Sequence, residues 1–368
     1  MYSQGFVHVL LPCVRIFCKK EKWLTAIPKL LRYNRQRHFC PMAKSRGTPA
    51  GGITLSQYKA LELEKPAEYQ LEGLEIGVTS SCNFRCNYCC AYQRNDGESL
   101  AAPEIIRLLE ELPDLKRVRL SGGEVTMQYE DTLAVVAYCG SRGIQTQLNT
   151  NGSLLTPKRI GELEKAGLNA IHISFNYLTA ESFAAYYQLP LRFYDRIQDN
   201  IRACSETGFH TVLETLLFKG TMNSLNEIHD RVYELGARIH EIQNSIVMPH
   251  TGWQGILEER ELKEAIHGLI AHRREGMSLF FTCIDRFAER LDFKEGPHVH
   301  LTHCIEGKTQ LHLHGNGDII ISELCHPVVI GNVYRDLSLR TVYQNRPKPL
   351  SDFLNKLPCP AYDSLYSV

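Results

Sequence analysis

Residues 74–90 read Leu74-Glu75-Ile76-Gly77-Val78-Thr79-Ser80-Ser81-Cys82-Asn83-Phe84-Arg85-Cys86-Asn87-Tyr88-Cys89-Cys90. The opening six alternate apolar side chains with others, the period of a strand with one buried face. The loop that follows carries thiols at the spacing C-x3-C-x2-C. Soft thiolates at this density select an iron–sulfur cluster or zinc. Three is the informative number, because a four-iron cubane held by three thiolates keeps one iron open to a chelating ligand. A structural zinc site normally takes a fourth ligand close by, often from a second C-x2-C pair. Cys90 adjoins Cys89 and so points its side chain elsewhere. Zinc stays open as the other reading of this loop.

Downstream of the loop the chain is regular. Strands are predicted over 74–79, 117–120, 144–149, 170–175, 210–217 and 238–246. Helical spacing runs through Ile105, Ile106, Leu108, Leu109 and Leu112, then over 131–142, 157–166, 224–235 and 258–275. Thr156 is a candidate N-cap, and Gly143 and Gly167 stand where helices should stop. Six strand–helix units in succession imply a parallel sheet with right-handed crossovers. Six falls short of the eight that close a full barrel, so an open partial (β/α)6 TIM-type barrel and a flat doubly wound sheet both fit the count. After residue 276 the rhythm changes. Gly315-Asn316-Gly317 marks a hairpin between 310–314 and 318–322, a strand is expected at 328–333, and helices at 337–343 and 350–356. The expected organisation is an N-terminal extension over 1–69, partly disordered, an α/β core over 70–276, and a small α+β C-terminal domain over 277–368.

Composition bounds the function. The chain has 368 residues, 43% of them hydrophobic, and a formal net charge of zero. A nucleic-acid binder usually carries a basic surplus, so no nucleic-acid partner is expected. Thirteen cysteines is an odd and unevenly spaced set, unlike a secreted disulfide framework. Thiols clustered in this way point to a reducing cytosol and to metal. No apolar run approaches the roughly 20 residues needed to span a bilayer. Residues 1–41 set eight basic side chains between Arg15 and Arg37 against the single acid Glu21. They read as a loose extension, with Met42 an alternative start, or as a basic arm for a partner or membrane surface.

The second predicted strand runs into Ser121-Gly122-Gly123-Glu124-Val125. Glycines let backbone approach a ligand closely, and a carboxylate there can hold an ammonium group. The cysteine loop and this glycine pair, one βα unit apart, resemble the radical S-adenosylmethionine (SAM) superfamily, whose cluster loop has the form Cys-Asn-Phe-Arg-Cys-x-Tyr-Cys. Proline usually follows the glutamate in that family, and Val125 stands here instead. The resemblance implies a 4Fe-4S cluster on Cys82, Cys86 and Cys89, with Tyr88 against the adenine of SAM. Gly122, Gly123 and Glu124 would meet the methionine half. Asn149, Asn151, Ser174 and Asn176, at the carboxyl ends of the third and fourth strands, would meet its carboxylate and ribose. Each of these four can instead cap the helix that follows. Glu214, a carboxylate inside the fifth strand, is expected to face the SAM pocket. All these positions converge on one rim in the partial barrel, which favours it over the flat sheet.

The C-terminal region resembles the SPASM/twitch extension of radical SAM enzymes. The resemblance implies an auxiliary iron–sulfur cluster on Cys283, Cys304, Cys325 and Cys359, against ordinary buried cysteines as the alternative. His298, His300, His303, His312 and His314 also gather there, either as metal ligands or as a polar strand face. From 70 to 360 the chain is most similar to the YfkA/YfkB-like radical SAM proteins. What this implies is reductive cleavage of SAM to a 5′-deoxyadenosyl radical, which takes hydrogen from a peptide or protein side chain. An electron donor such as flavodoxin or ferredoxin would be a partner. The alternatives are a small metabolite as substrate, or a non-catalytic metal-binding interaction protein.

Overall fold

The computed structural model of the chain describes residues 71–86, 88–89, 97–187, 189–245, 255–321, 329–336 and 338–344. The expected extension over 1–69, the helix at 350–356, and Cys325 and Cys359 lie outside the described residues. Alternation decides the architecture. In β1 (Gly73–Thr79) Leu74, Ile76 and Val78 are buried, while Glu75 and Gly77 on the opposite face are less so. The same parity recurs in β2 (Arg117–Gly122), β3 (Gln145–Thr150), β4 (Ala170–Ser174), β5 (His210–Leu217), β6 (Ile239–Asn244) and β7 (Ser278–Thr282). The apolar parity packs against helices α1 (Ala102–Glu110), α2 (Tyr129–Arg142), α3 (Pro157–Lys165), α4 (Ala180–Tyr187), α5 (Arg192–Ser205), α6 (Leu225–Glu234) and α7 (Glu259–His272).

The strands form one sheet in the order β11-β10-β9-β1-β2-β3-β4-β5-β6-β7-β8, with β8 at Val299–Leu301, β9 at Gln310–Leu313, β10 at Asp318–Ile320 and β11 at Val329–Asn332. Strands β1 to β8 are parallel in sequence order, and β9 adds to β1 in parallel as well. The result is an open α/β sheet of partial TIM-barrel type, as the order of strands and helices predicts. Two features extend that expectation. The parallel run continues past the sixth strand into β7 and β8. On the other edge, the β9–β10 hairpin and β11 join the core sheet through β1. The last helix, α8 (Leu339–Gln344), buries Leu339, Val342 and Tyr343.

The helix ends follow local chemistry. Thr156 caps α3, its hydroxyl accepting the Arg159 amide at 3.2 Å, with Pro157 in the first turn. In α1, Glu104 reaches back to the Ala101 amide at 3.0 Å, and Asp131 of α2 accepts the Ala102 amide at 2.8 Å. Two free donors of that helix start are thereby satisfied from different elements.

Between α6 and β6 lies a buried histidine pair. His229 Nε2 accepts the Arg274 amide at 3.2 Å, and its Nδ1 stands 3.0 Å from His240 Nδ1. His240 Nε2 is 2.8 Å from the Thr215 hydroxyl, which donates to the Phe175 carbonyl at 2.7 Å. This sequence assigns the tautomers. Nδ1 of His229 carries the proton and donates to His240, whose Nε2–H then donates to Thr215. Burial pushes both imidazoles down, His229 to about 4, so both are neutral in the fold.

Candidate active site

The cysteine loop leaves β1 at its carboxyl end and is tied down on three sides. Arg85 folds back, its Nη1 donating to the carbonyls of Cys82 (2.8 Å) and Phe84 (3.0 Å). Phe84 is buried in an aromatic cluster, with ring centroids 5.1 Å from Tyr187 and 6.4 Å from both Phe183 and Phe193. Asn83 donates to the Ser153 hydroxyl at 2.9 Å and accepts from Asn151 Nδ2 at 2.9 Å, which locks the loop to the β3–α3 connection. Fixing these backbones in advance lowers the entropy of ordering a site built from loop residues.

Cys82, Cys86 and Cys89 are half-buried and outside any disulfide. Burial, with Glu124 and Cys89 adding to it, pushes the Cys82 thiol up to about 11. Burial also raises Cys86, with Cys89 and Cys82 adding their charges. These three donors therefore destabilise one another as thiolates unless a cationic centre sits among them. Soft donors, mutual repulsion and a pre-tied loop fit a bound iron–sulfur cluster. The Phe84 amide already points at Cys82 Sγ, at 3.3 Å. Such amide–sulfur bonds help set the potential of a bound cluster.

The glycine pair has a steric origin. Gly122 has φ +134, and a Cβ there would stand 2.3 Å from the Thr79 carbonyl oxygen. A Cβ on Gly123 would stand 2.2 Å from the Ser81 carbonyl oxygen. The close approach that the glycines permit is thus between the end of β2 and the start of the cysteine loop. Backbone amides hold that contact, Gly123 donating to the Thr79 carbonyl at 2.7 Å and Glu124 to the Ser81 carbonyl at 2.8 Å. The Glu124 carboxylate is 1% exposed and turned inward. It accepts from the Thr126 amide (3.0 Å) and hydroxyl, the Thr150 hydroxyl (2.6 Å) and the Asn151 amide (2.7 Å). In this structure the carboxylate braces the β2 and β3 termini beneath the loop.

Asn151 joins the loop through Asn83, as above. Asn176 is buried, its Oδ1 accepting the Leu216 amide at 2.6 Å and its Nδ2 donating to the Tyr88 hydroxyl at 2.8 Å. Its amide is therefore spent inside the protein, holding Tyr88 in place. Asn149 and Ser174 stand at the strand parity opposite the buried apolar side chains. Asn149 Oδ1 accepts from Gln147 at 2.8 Å, and Ser174 is in register with Glu214.

That inner face holds a group of charged residues. Arg119 Nη1 donates to Glu75 at 3.3 Å, and the Ser121 hydroxyl donates to the same carboxylate at 2.9 Å. Glu214 meets His172 Nδ1 at 2.6 Å, Glu241 lies 3.6 Å from the same nitrogen, and His312 pairs with Glu306. Burial works against the Arg119 charge, but Glu75, Glu214, Glu241 and Glu306 outweigh it and hold the guanidinium firmly protonated. Burial likewise opposes the Glu214 charge, yet His172 and Arg119 pull its carboxyl below the usual range. Burial and the Glu214 charge push Glu241 upward. A filled TIM barrel lines this face with Val, Ile and Leu. A charged lining is the mark of a site. Of this set sequence reading singles out Glu214, which it places at SAM, and His312, a candidate metal ligand. The signal for the rest was available: Glu75, Arg119, Gln147, His172 and Glu241 each stand at the parity opposite the buried apolar side chains of their strands.

In the C-terminal region, Cys304 takes an amide hydrogen bond to Asp285 at 3.0 Å, which ties it to the loop after Cys283. His312 is buried and paired with Glu306, so this strand face is neither solvated nor free.

Residues 76–232 match the radical SAM superfamily. The YfkA protein of Bacillus subtilis is 24% identical over 312 residues, covering 77% of this chain and 83% of that protein. The AdoMet-dependent heme synthase of Methanosarcina barkeri is 24% identical over 285 residues, 73% of this chain and 80% of the relative. Among solved structures, SuiB of Streptococcus suis bound to S-adenosylmethionine superposes with a TM-score of 0.60 at 18% identity, covering 82% of this chain and 70% of SuiB. At that identity the likeness speaks for the fold, an open α/β barrel shared by the two.

Proposed function

From the premise that this chain is a radical SAM enzyme, its radical SAM domain covering residues 76–232, we propose that Cys82, Cys86 and Cys89 hold its 4Fe-4S cluster. The bound cluster and SAM supply one-electron cleavage of the sulfonium to a 5′-deoxyadenosyl radical that takes hydrogen from a substrate. The observation that carries the proposal is the mutual arrangement of three half-buried thiols on a loop fixed by Arg85, Phe84 and Asn83. In this reading Asn176 and Tyr187 hold Tyr88 beside the bound adenine, Gly122 and Gly123 keep the rim close to the loop, and the charged strand face receives the substrate. Asn149, Asn151 and Ser174 line the route from rim to lumen. Residues 70–276 then carry the catalytic site, and 277–368, whose β7 and β8 continue the core sheet, form the extension.

The substrate we propose is a peptide or protein side chain. Support comes from SuiB, whose fold this chain shares and which was solved bound to its precursor peptide SuiA. A small polar metabolite is the second reading, favoured by the charged strand face and by curated relatives named for heme synthesis and GTP cyclisation. An auxiliary cluster is proposed at Cys283, Cys304, Cys325 and Cys359, supported by the Asp285 contact that ties Cys304 to the Cys283 loop. The electron comes from a flavodoxin- or ferredoxin-type donor, and the working compartment is a reducing cytosol. Among the described residues no helix is long and apolar enough to cross a membrane.

Metal analysis of anaerobically purified protein tests the ligand assignment. About four iron and four sulfide per chain are expected for the one cluster, about twice that with the auxiliary one, falling by about four of each in Cys86→Ala. Stoichiometric zinc without sulfide would contradict it.

A further inference from the structure

The charged strand face contains a donor set unrelated to the cysteine loop. His172 on β4, Glu214 on β5 and Glu241 on β6 project from three adjacent parallel strands, with Glu214 and Glu241 directly in register. One donor atom from each lies within 4.8 Å of the other two. The imidazole Nδ1 is 2.6 Å from Glu214 Oε1 and 3.6 Å from Glu241 Oε2.

The charges of this face do not balance within the protein. Four carboxylates, Glu75, Glu214, Glu241 and Glu306, meet the single guanidinium of Arg119. Arg119 is engaged by Glu75, and His312 by Glu306. His172 Nδ1 is engaged by Glu214. Glu241 accepts no hydrogen bond among the described residues; its nearest partner is His172 Nδ1 at 3.6 Å, with Arg119 attracting it from farther away. A carboxylate left this way inside a barrel is costly unless a cation or a proton joins it.

The geometry points to a divalent metal site formed by His172, Glu214 and Glu241. Donors at about 2.1 Å from one ion stand roughly 3 Å from each other, a separation the three side chains reach by small rotations. The ion takes the place of the proton between His172 Nδ1 and Glu214, and that proton leaves to solvent. One imidazole and two carboxylates form a mixed, mostly hard donor set, suited to Mn²⁺, Fe²⁺ or Zn²⁺ and distinct from the thiolate set of the loop. Three protein ligands leave coordination positions open toward the lumen. There the ion can hold a carboxylate or carbonyl oxygen of a substrate and fix which hydrogen faces the rim.

Mn²⁺ titration of the full-length, cluster-loaded protein tests this, with the free-ion electron paramagnetic resonance signal as readout and the cluster kept oxidised and silent. The site should withdraw one Mn²⁺ per chain. Loss of an outer-shell partner alone typically costs about 10–100-fold in metal affinity, so loss of a ligand in Glu241→Gln or Glu214→Gln should weaken binding by at least about tenfold. Glu72→Gln, a surface carboxylate paired with Lys116, should leave the affinity unchanged. The near-isosteric glutamines keep the fold, which circular dichroism verifies. Wild-type protein that leaves the Mn²⁺ signal undiminished, or equal affinity in wild type and Glu241→Gln, overturns the site. Because the readout involves neither SAM nor the cysteine cluster, its failure is separable from failure of the radical SAM reading.

Discussion

At the scale of single residues, the rim is built by contacts that tolerate little change. Gly123 has backbone rather than a flexible side chain where a Cβ would go, with the Ser81 carbonyl oxygen 2.2 Å away. Gly123→Ala must therefore push the β2 end off the cysteine loop. Overpacking of this kind typically costs about 1–3 kcal/mol, so a lower thermal midpoint and poorer iron loading are expected together. A midpoint equal to wild type would show that the contact relaxes freely. The cysteines and the glycine pair were legible because their chemistry depends on short spacing alone. The inward orientation of Glu124 was not legible. Thr126, Thr150 and Asn151, which turn it inward, come from two separate segments that only folding brings together.

At the scale of elements, the buried His229–His240 pair couples α6 to β6 through neutral imidazoles. An unfolded histidine titrates near 6.5, and burial holds His229 down at about 4 in the fold. Below the unfolded value the unfolded chain binds more protons, so stability is full above about pH 6.5 and is lost as pH falls toward about 4. Urea midpoints measured across that window should fall with pH, and the fall should be shallower in His229→Gln. An identical pH profile in that variant would remove the pair as the cause. The six strands expected from periodicity sit within two residues of their observed ends, because one buried face imposes a strict alternation on each. Strands β7 and β8 escaped that reading. The first comes directly after a helix end, and the second is three residues long, too short to show a period. Nor does any local pattern in Gln310–Leu313 reveal that it pairs with β1, more than two hundred residues earlier.

At the scale of the whole molecule, one open α/β barrel presents two chemistries along its axis. Thiols stand on the loop after β1, and a carboxylate–imidazole–guanidinium lining faces inward from β1, β2, β4, β5, β6 and β9. Ordinary barrel packing would fill that space with branched apolar side chains. The departure was written in the sequence as charged or amide residues at one parity of the strands, but its meaning needed the strands side by side. In the proposed function the loop cysteines support reductive SAM cleavage. Its most direct measurement is 5′-deoxyadenosine release by anaerobically reconstituted protein given dithionite and SAM. Release by wild type and none from Cys86→Ala is the result predicted here. Fully cluster-loaded wild type that releases no 5′-deoxyadenosine would contradict the account.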